Sequence, residues 1–195
     1  TVEALAVTMR TPGEDFDLVA GFLLGEGIVN SADELEELTY CRGQETQEYN
    51  VVEARLRPGV CFDLERLRRN VFTSSSCGVC GKAALEAVAF SGCTNLEDEF
   101  RVEGRLLPGL PDTLLEGQGV FARTGGLHAA GLFGANGELY ALREDVGRHN
   151  AVDKVLGRTL LDRKLPADDR ILVVSGRASF EIVQKALMAR VPVLV

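Results

Sequence analysis

The 195-residue sequence lacks the features of several special classes of protein. It contains no apolar run near the roughly 18 to 20 residues that a membrane helix needs, and no charged and then apolar leader opens it. We therefore expect neither a membrane protein nor a secreted one. Its five cysteines are odd in number and irregularly spaced, at positions 41, 61, 77, 80 and 93. Such a set does not suit a disulfide framework and favours a reducing cytoplasm.

An excess of positive charge is also lacking. The formal net charge is −8; residues 1–100 carry 18 Asp and Glu against 8 Lys and Arg, whereas residues 101–195 carry 11 against 13. Affinity for nucleic acid comes mainly from neutralised phosphates, so an acidic total argues against a nucleic-acid partner. The more basic second half still allows a local pocket for a small phosphorylated ligand.

The N-terminal segment has the pattern of a strand followed by a helix. Val2 to Met9 alternates loosely between apolar and polar residues, which predicts a strand. Residues 11–14 have the pattern of a helix N-terminus, with Thr11 as the N-cap and Glu14 as the capping-box carboxylate. The helix should end near Gly25 to Gly27. Its spacing of apolar residues predicts one buried stripe, formed by Phe16, Val19, Ala20 and Leu23.

Two further elements precede the chemical motifs, and a hairpin follows them. Ser31 to Leu38 repeats the capping pattern and predicts a shorter helix, whereas Tyr49 to Arg57 predicts a strand. Between Leu127 and Arg143, two apolar runs are separated by Asn136-Gly137, which suits the positive φ angles of a tight turn. This pattern predicts two antiparallel strands.

The last 50 residues predict a helix and then a βαβ unit. Asp145 is expected to cap the helix, whose buried face comprises Val152, Val155, Leu156 and Leu160. The βαβ unit consists of a strand over Arg170 to Val174, a helix over Phe180 to Met188 and a buried strand over Val191 to Val195. Because a buried strand is an unusual place for a chain to stop, we expect the sequence to be a fragment of a longer protein.

Cys77 and Cys80 form the sharpest chemical motif, in the small and polar stretch 71–82. Two thiols at this spacing can share a metal, form a redox pair, or act as a nucleophile and its helper. A helix predicted after Gly81, with Lys82 in its first turn, would lower a thiol pKa from about 8.5 toward about 7. Structural zinc needs four ligands, and no second CxxC or paired histidine is present, so the balance favours thiol chemistry.

Polar residues also gather around two predicted strand-to-helix junctions. In the block 144–150, the arginine fork of Arg148 and the helix N-terminus both suit an oxyanion. Asp145, His149 and Asp153 are spaced four apart, so both carboxylates could lie beside the imidazole and fix its tautomer or raise its pKa. The alternative is a helix cap with surface ion pairs.

Three other candidates give weaker signals. Ser175 and Arg177 follow a buried strand, at the position where open α/β sheets bind ligands. His128 stands in the glycine-rich entry to another strand, and a lone histidine of this kind is more often structural than functional.

Together these segments resemble the formate dehydrogenase accessory sulfurtransferases, the FdhD family. The resemblance covers most of the chain and is carried by Thr11 to Glu14, Gly21 to Ile28, Cys77 to Gly81, His128 to Ala130, Glu144 to Lys154 and Ser179 to Lys185. It implies a three-layer α/β/α sandwich with a mixed sheet. A cytidine-deaminase-like core would occupy residues 71–195, truncated at its C-terminal end, with a smaller N-terminal α+β portion over residues 1–70 packed on it.

The same resemblance implies a function. Such proteins are cytoplasmic, commonly dimeric sulfur carriers that take sulfur from a cysteine desulfurase and deliver it to the bis-molybdopterin guanine dinucleotide form of the molybdenum or tungsten cofactor of formate dehydrogenase. By position, Cys77 would bear the persulfide and Cys80 would assist or resolve it. The cofactor-facing wall would comprise His128, Asp145, Arg148, His149, Ser175 and Arg177. No permanent cofactor is expected, because the molybdenum cofactor is the acceptor.

Two other functions remain open from the sequence. The chain could be a non-enzymatic chaperone that cradles the cofactor, with Cys77 and Cys80 structural or bound to zinc. A disulfide oxidoreductase is disfavoured, because no thioredoxin-like βαβ unit precedes these thiols.

Overall fold

The computed structural model describes residues 2–41, 49–62, 96 and 99–195. Helices and strands follow one another along these ranges, which confirms the predicted mixed α/β class. The helices are α1 (Asp15–Gly25), α2 (Leu110–Glu116), α3 (Phe121–Thr124), α4 (Arg148–Leu161) and α5 (Phe180–Met188). The strands are β1 (Leu35–Tyr40), β2 (Val52–Leu56), β3 (His128–Gly134), β4 (Leu139–Asp145), β5 (Arg170–Val174) and β6 (Val193–Leu194). The three-layer, cytidine-deaminase-like arrangement and the division at residue 70 stay predictions.

A four-stranded sheet of order β4-β3-β5-β6 is the main sheet of the described residues, and β1 and β2 form a separate antiparallel pair. Strand β3 runs antiparallel to both β4 and β5, so β4 and β5 point the same way, and β6 is parallel to β5. The predicted β3–β4 hairpin is confirmed, and Gly137 has the positive φ of 82° that its tight turn needs. The carboxyl ends of β4 and β5 therefore meet the amino end of β3 at one edge.

Apolar side chains cover both faces of this sheet. Alternate residues of β3 point to opposite faces, so Ala130 and Leu132 join a core with α1, α4 and α5, whereas Ala129 and Phe133 join a core with α2. The predicted stripe of α4 is confirmed: at most 1% of each side chain is exposed in Val152, Val155, Leu156 and Leu160. Burial of these aliphatic faces holds the helices on the sheet.

Helices α1 and α4 pack closely enough to require glycine at two positions. A Cβ built on Gly21 would collide with the backbone carbonyl of Asp153, and one built on Gly157 would collide with that of Asp17. The helix predicted for this segment is confirmed and ends at Gly25, as expected. The contact ties the N-terminal segment to the helix that begins at the sheet edge.

The predicted N-terminal strand and helix cap are wrong. Residues 2–10 form no strand. The N-cap of α1 is Glu14, and no side chain caps it. Thr11 instead bonds to the β4–α4 turn: its hydroxyl accepts the Val146 N–H at 2.9 Å, and its own N–H donates to Asp145 Oδ2 at 3.0 Å. Hydrogen bonds to a segment distant in sequence thus replace the expected local capping bond.

The predicted short helix over Ser31 to Leu38 is also wrong in its second half. Only a 3-10 turn, Ala32–Glu34, forms, and β1 begins at Leu35. Pairing with β2 over five residue pairs supplies the backbone with strand partners that a sequence window does not reveal. The strand predicted over Tyr49 to Arg57 is confirmed as β2.

The predicted βαβ unit is confirmed, with β5 and α5 at their expected bounds and β6 shorter than expected. In the part of the chain that the structure describes, no helix combines the length and apolar character needed to cross a bilayer.

Candidate functional site

The sheet register gathers several of the predicted site residues at one edge. His128, the first residue of β3, pairs with Asp145, the last residue of β4, and Ala130 pairs with Val174 at the end of β5. Helices α4 and α5 begin shortly after these strand ends. Two helix N-termini, which favour anions, therefore lie at the edge where β3 begins.

Gly176 lies between Arg148 and His128. A Cβ built on Gly176 would lie 3.5 Å from the Arg148 side chain and 3.5 Å from His128 Nδ1. Ser175 fixes this part of the loop, because its hydroxyl accepts the Ala129 N–H at 2.8 Å and its own N–H donates to the Ala129 carbonyl at 2.9 Å. The structure thus brings His128, Arg148 and the start of the β5–α5 loop together. Arg177 is exposed in the same loop.

Arg148 offers a hydrogen-bond donor at this edge. Its Nε atom is shielded from solvent and has no hydrogen-bond partner among the described residues. Buried donors are nearly always satisfied in native proteins, and an arginine is well suited to an oxyanion. The side chain is therefore suited to bind an anionic ligand here.

Asp145 lies behind the edge, fully buried and bound by protein groups. Its Oδ2 lies 2.9 Å from Nζ of Lys154, which is also fully buried. Its Oδ1 accepts hydrogen bonds from the Gly147 N–H and the Asn150 amide, both at 2.9 Å. The Lys154 ammonium also donates to the Thr11 carbonyl at 3.0 Å. Asp145 therefore fixes the turn that presents Arg148.

The prediction that Asp145 and Asp153 lie beside His149 along one helix is wrong. Helix α4 begins only at Arg148, and Asp145 belongs to β4. The carboxylate of Asp153 accepts a 2.6 Å hydrogen bond from Lys185 on α5. Burial, and then the nearby Arg148, lower the pKa of His149 from its ordinary value, whereas a raised pKa was one of the two effects expected from the neighbouring carboxylates.

The partners of His149 come from the first turn of α5 and the residue that precedes it. Its Nε2 lies 3.0 Å from the hydroxyl of Ser179 and 3.8 Å from a carboxylate oxygen of Glu181. Burial alone would raise the pKa of Glu181, but its own backbone N–H, the Ser179 hydroxyl, His149 and Arg148 together lower it. Sequence reasoning missed Ser179 and Glu181 as site residues. The sequence did contain a signal for them, because Ser179 and Glu181 are residue types that favour the N-terminus of a helix.

The rest of the block 144–154 is largely structural. The Glu144 carboxylate accepts the N–H groups of Val120 and Phe121 at 2.8 and 2.6 Å. The Asn150 amide donates to the Met9 carbonyl at 2.8 Å. These bonds join β4 to the start of α3 and α4 to the N-terminal segment. Most of the block therefore has the structural role of positioning Arg148 and His149.

The predicted thiols Cys77 and Cys80 lie outside the described residues. Within the described ranges, no group of three or more His, Cys, Asp or Glu side chains is placed to hold a metal ion.

Comparison with known proteins gives consistent matches. The model of the FdhD/NarQ family matches residues 2–195. The sulfur carrier protein FdhD of Streptomyces avermitilis is 55% identical over 195 residues, which cover 97% of this chain and 69% of that protein. The protein of the same name from Mycobacterium tuberculosis is 50% identical over 197 residues, covering 97% of this chain and 71% of the relative.

A solved structure is also similar. A formate dehydrogenase accessory protein from Desulfotalea psychrophila superposes with a TM-score of 0.68 at 25% identity, covering 96% of this chain and 65% of that one. The present chain thus spans somewhat less than two thirds of that solved protein.

Proposed function

This chain belongs to the FdhD/NarQ family, and on that premise we propose that it is a sulfur carrier in the maturation of formate dehydrogenase. The names of its relatives as sulfur carriers, and of the solved protein as a formate dehydrogenase accessory protein, support this function. The observation that carries it in this chain is the meeting of Arg148, His128 and Gly176 beside two helix N-termini. Such an edge suits an anionic acceptor molecule.

Sulfur would enter as a persulfide on Cys77. The Cys77 thiolate attacks the terminal sulfur of the persulfide that a cysteine desulfurase carries. A new S–S bond forms on Cys77, the S–S bond of the donor breaks, and the donor leaves as a thiolate. No electrons are gained or lost overall, so this step needs no other reagent.

Release of the sulfur would use Cys80. Attack of the Cys80 thiolate on Sγ of Cys77 forms a Cys77–Cys80 disulfide and expels the terminal sulfur as hydrosulfide, with the proton that Cys80 gave up. The two electrons that reduce this sulfur come from the two thiols. A cellular dithiol of the thioredoxin class would then restore both cysteines.

The acceptor would be the bis-molybdopterin guanine dinucleotide molybdenum cofactor, bound as a substrate. Its diphosphates are the kind of group that Arg148, Arg177 and the start of α5 would bind. His128, His149 and Ser175 would complete the wall, with Asp145 supporting it from behind. We also propose that the protein acts as a cytoplasmic homodimer, with a cysteine desulfurase and formate dehydrogenase as partners.

Mass spectrometry of single-cysteine variants tests this function. After incubation with a desulfurase and cysteine, the chain should gain about 32 Da, removable by a thiol reductant. Cys77→Ala should gain nothing, whereas Cys80→Ala should retain the added sulfur for longer. Cys61→Ala is the matched control, because Cys61 is a free and exposed thiol and its loss should leave the gain unchanged. A Cys77→Ala variant that still matures formate dehydrogenase fully would exclude the mechanism.

The chaperone alternative makes a different prediction. If Cys77 and Cys80 held structural zinc, the purified chain would contain one metal ion, and the double alanine variant would lose both the zinc and its folded state. Metal analysis and circular dichroism of the two proteins therefore separate the alternatives.

A further inference from the structure

Residues 8–11, here named the N-terminal strap, lie against the β4–α4 turn. Every polar group of Thr11 is hydrogen-bonded there. Its hydroxyl accepts the Val146 N–H at 2.9 Å. Its own N–H donates to Asp145 Oδ2, and its carbonyl accepts a hydrogen bond from Lys154, both at 3.0 Å. The side chains of Asp145 and Lys154 are fully buried, so water does not readily replace these two bonds.

Asn150 makes a second connection between the strap and the turn. Its amide nitrogen donates to the Met9 carbonyl at 2.8 Å and to Asp145 Oδ1 at 2.9 Å. Its amide oxygen accepts the Thr8 hydroxyl at 3.3 Å. Asn150 is buried, and both ends of its amide are used. The strap and the turn therefore form one hydrogen-bonded unit, although more than 130 positions separate them in sequence.

These bonds fix the backbone immediately before Arg148. Helix α4 begins at Arg148, and its N-cap residue, Gly147, has no side chain to cap it. The Gly147 N–H donates to Asp145 Oδ1 instead, and the preceding N–H, of Val146, donates to Thr11. Nε of Arg148 is shielded from solvent and has no hydrogen-bond partner among the described residues. An anion that binds Arg148 therefore meets a donor whose position the strap helps to set.

Hydrophobic burial contributes little to holding the strap in place. Residues 2–9 are exposed except for Leu5, which is partly buried, and Met9 is 82% exposed. A side chain that remains in water gains no stabilisation from burial. The position of the strap therefore depends mainly on its hydrogen bonds to the turn and on that of Arg10 to Asp15, at 2.7 Å.

We propose that Thr11 is a positioning residue for Arg148, so that docking of the strap and binding of an anion at the sheet edge stabilise each other. The inference rests on the proposed function, in which Arg148 binds the phosphates of the acceptor. By linkage, a strap that raises the affinity of the edge for an anion is itself held more firmly when the anion is bound. A strap with only a structural role would change the melting temperature and leave the anion affinity unchanged.

Isothermal titration calorimetry with inorganic pyrophosphate measures this affinity. Thr11→Val keeps the shape of the side chain and removes the acceptor of the Val146 N–H. We expect the affinity to fall roughly 2- to 10-fold, as for the loss of one hydrogen bond, in a chain that is folded at the temperature of measurement. Thr11→Ser retains the hydroxyl and should restore the affinity. Thr113→Val is the matched control, since Thr113 is exposed on α2 and its hydroxyl donates to the Gly109 carbonyl one turn away.

Hydrogen exchange, followed by NMR, tests the coupling without any substitution in the strap. Saturating pyrophosphate should slow exchange of the Thr11 amide several-fold, because that N–H is bonded to a buried carboxylate of the turn. The Gly137 amide, in the turn of the β3–β4 hairpin, should exchange at its usual rate. Arg148→Ala should abolish the added protection at Thr11. If Thr11→Val does not fold, this measurement decides the proposal.

Three results would overturn the proposal. They are a Thr11→Val affinity equal to that of the wild type, a Thr11 amide whose exchange pyrophosphate does not change, and a wild type that binds no pyrophosphate.

Persulfide mass spectrometry keeps this proposal separate from the proposed function. A wild type that gains the sulfur but shows no coupling between Thr11 and pyrophosphate refutes the role of the strap alone. A chain that shows the coupling but gains no sulfur refutes the sulfur-carrier function and supports the strap.

Discussion

The ammonium of Lys154 lies 2.9 Å from the carboxylate of Asp145, and neither side chain is exposed to solvent. Lysine is rarely buried without a partner, and here the pair joins the middle of α4 to the end of β4. Because Asp145 also binds Thr11, Gly147 and Asn150, one carboxylate organises the turn from which Arg148 projects.

Removing one partner of this pair should destabilise the protein strongly. Lys154→Ala leaves the Asp145 charge buried without its cation, which typically costs about 3–5 kcal/mol in the free energy of unfolding. Urea denaturation followed by circular dichroism measures the loss. Arg163→Ala is the control: Arg163 lies 2.6 Å from Asp33, but both side chains are mostly exposed. Its loss should cost about 1 kcal/mol or less. Equal losses of unfolding free energy in Lys154→Ala and Arg163→Ala would contradict the importance of the buried pair.

Adding a methyl group where α1 crosses α4 should force the helices apart. Gly21→Ala and Gly157→Ala each place a Cβ against the backbone of the facing helix, which cannot move aside as a side chain would. We expect each to lower the free energy of unfolding by about 1–3 kcal/mol or more. Gly104→Ala is the control, since a Cβ there has nothing within 4 Å. Melting temperatures of the three variants measure the effect. A Gly157→Ala variant that melts at the wild-type temperature would show that α1 and α4 pack less closely than described.

The stability of the protein should depend on pH through Asp153. Burial raises the pKa of Asp153 to about 6, although Lys185 lowers it, whereas the unfolded chain should titrate near the ordinary value of 3.8. Between these values the folded state binds more protons than the unfolded one, so this contribution to stability is lost as pH rises from about 4 to about 6.

Unfolding free energies at pH 4, 5, 6 and 7 measure this contribution. Asp153→Asn should flatten the pH profile within that window, even though it lowers stability overall by leaving Lys185 without its carboxylate. Asp33→Asn, at an exposed position, should keep the shape of the profile. An Asp153→Asn profile as steep as that of the wild type would show that another group is responsible.

Arg148 should matter to function more than to folding. Arg148→Ala removes a donor from the proposed acceptor site, and hydrogen bonds to charged groups contribute about 1.5–3 kcal/mol. We therefore expect formate dehydrogenase maturation in complemented cells to fall at least roughly 10-fold, with the melting temperature nearly unchanged. Arg105→Ala, at an exposed arginine, should retain full maturation. A variant of Arg148 that matures the enzyme normally would exclude it from the acceptor site.

Local patterns predicted the elements whose partners are close in sequence. Asn136-Gly137 predicted the hairpin correctly, because Gly137 takes the positive φ of the turn and the Asn136 side chain accepts the Glu138 N–H. The stripe of α4 was visible because its aliphatic side chains recur at helical spacing. The predictions failed where a distant partner competed with a local one. Thr11 looked like a helix cap and instead bonds to the β4–α4 turn, more than 130 positions away.

In the candidate site, too, the sequence predicted the residues whose signal is local and missed those that depend on distant partners. Arg148 and Arg177 were predicted from their place at strand-to-helix junctions, where sheets of this class bind ligands. His149 was predicted from its spacing along a helix, and His128 from the glycine-rich entry to a strand. Ser179 and Glu181 were not, because their importance depends on how α5 lies against α4. The expected grouping of His149 with two carboxylates failed because Asp145 and Asp153 are each bound to a buried lysine instead.

The order of residues alone determined the α/β class, the hairpin, the βαβ unit and the resemblance that named the family, since each depends on short-range spacing and residue type. Only the tertiary structure decided which charged side chains pair, which glycines lie where two helices cross, and which nitrogen of His149 lies near a carboxylate. The reason is physical: burial makes an ion pair or a missing Cβ energetically decisive, and burial is a property of the packed chain that no sequence window contains.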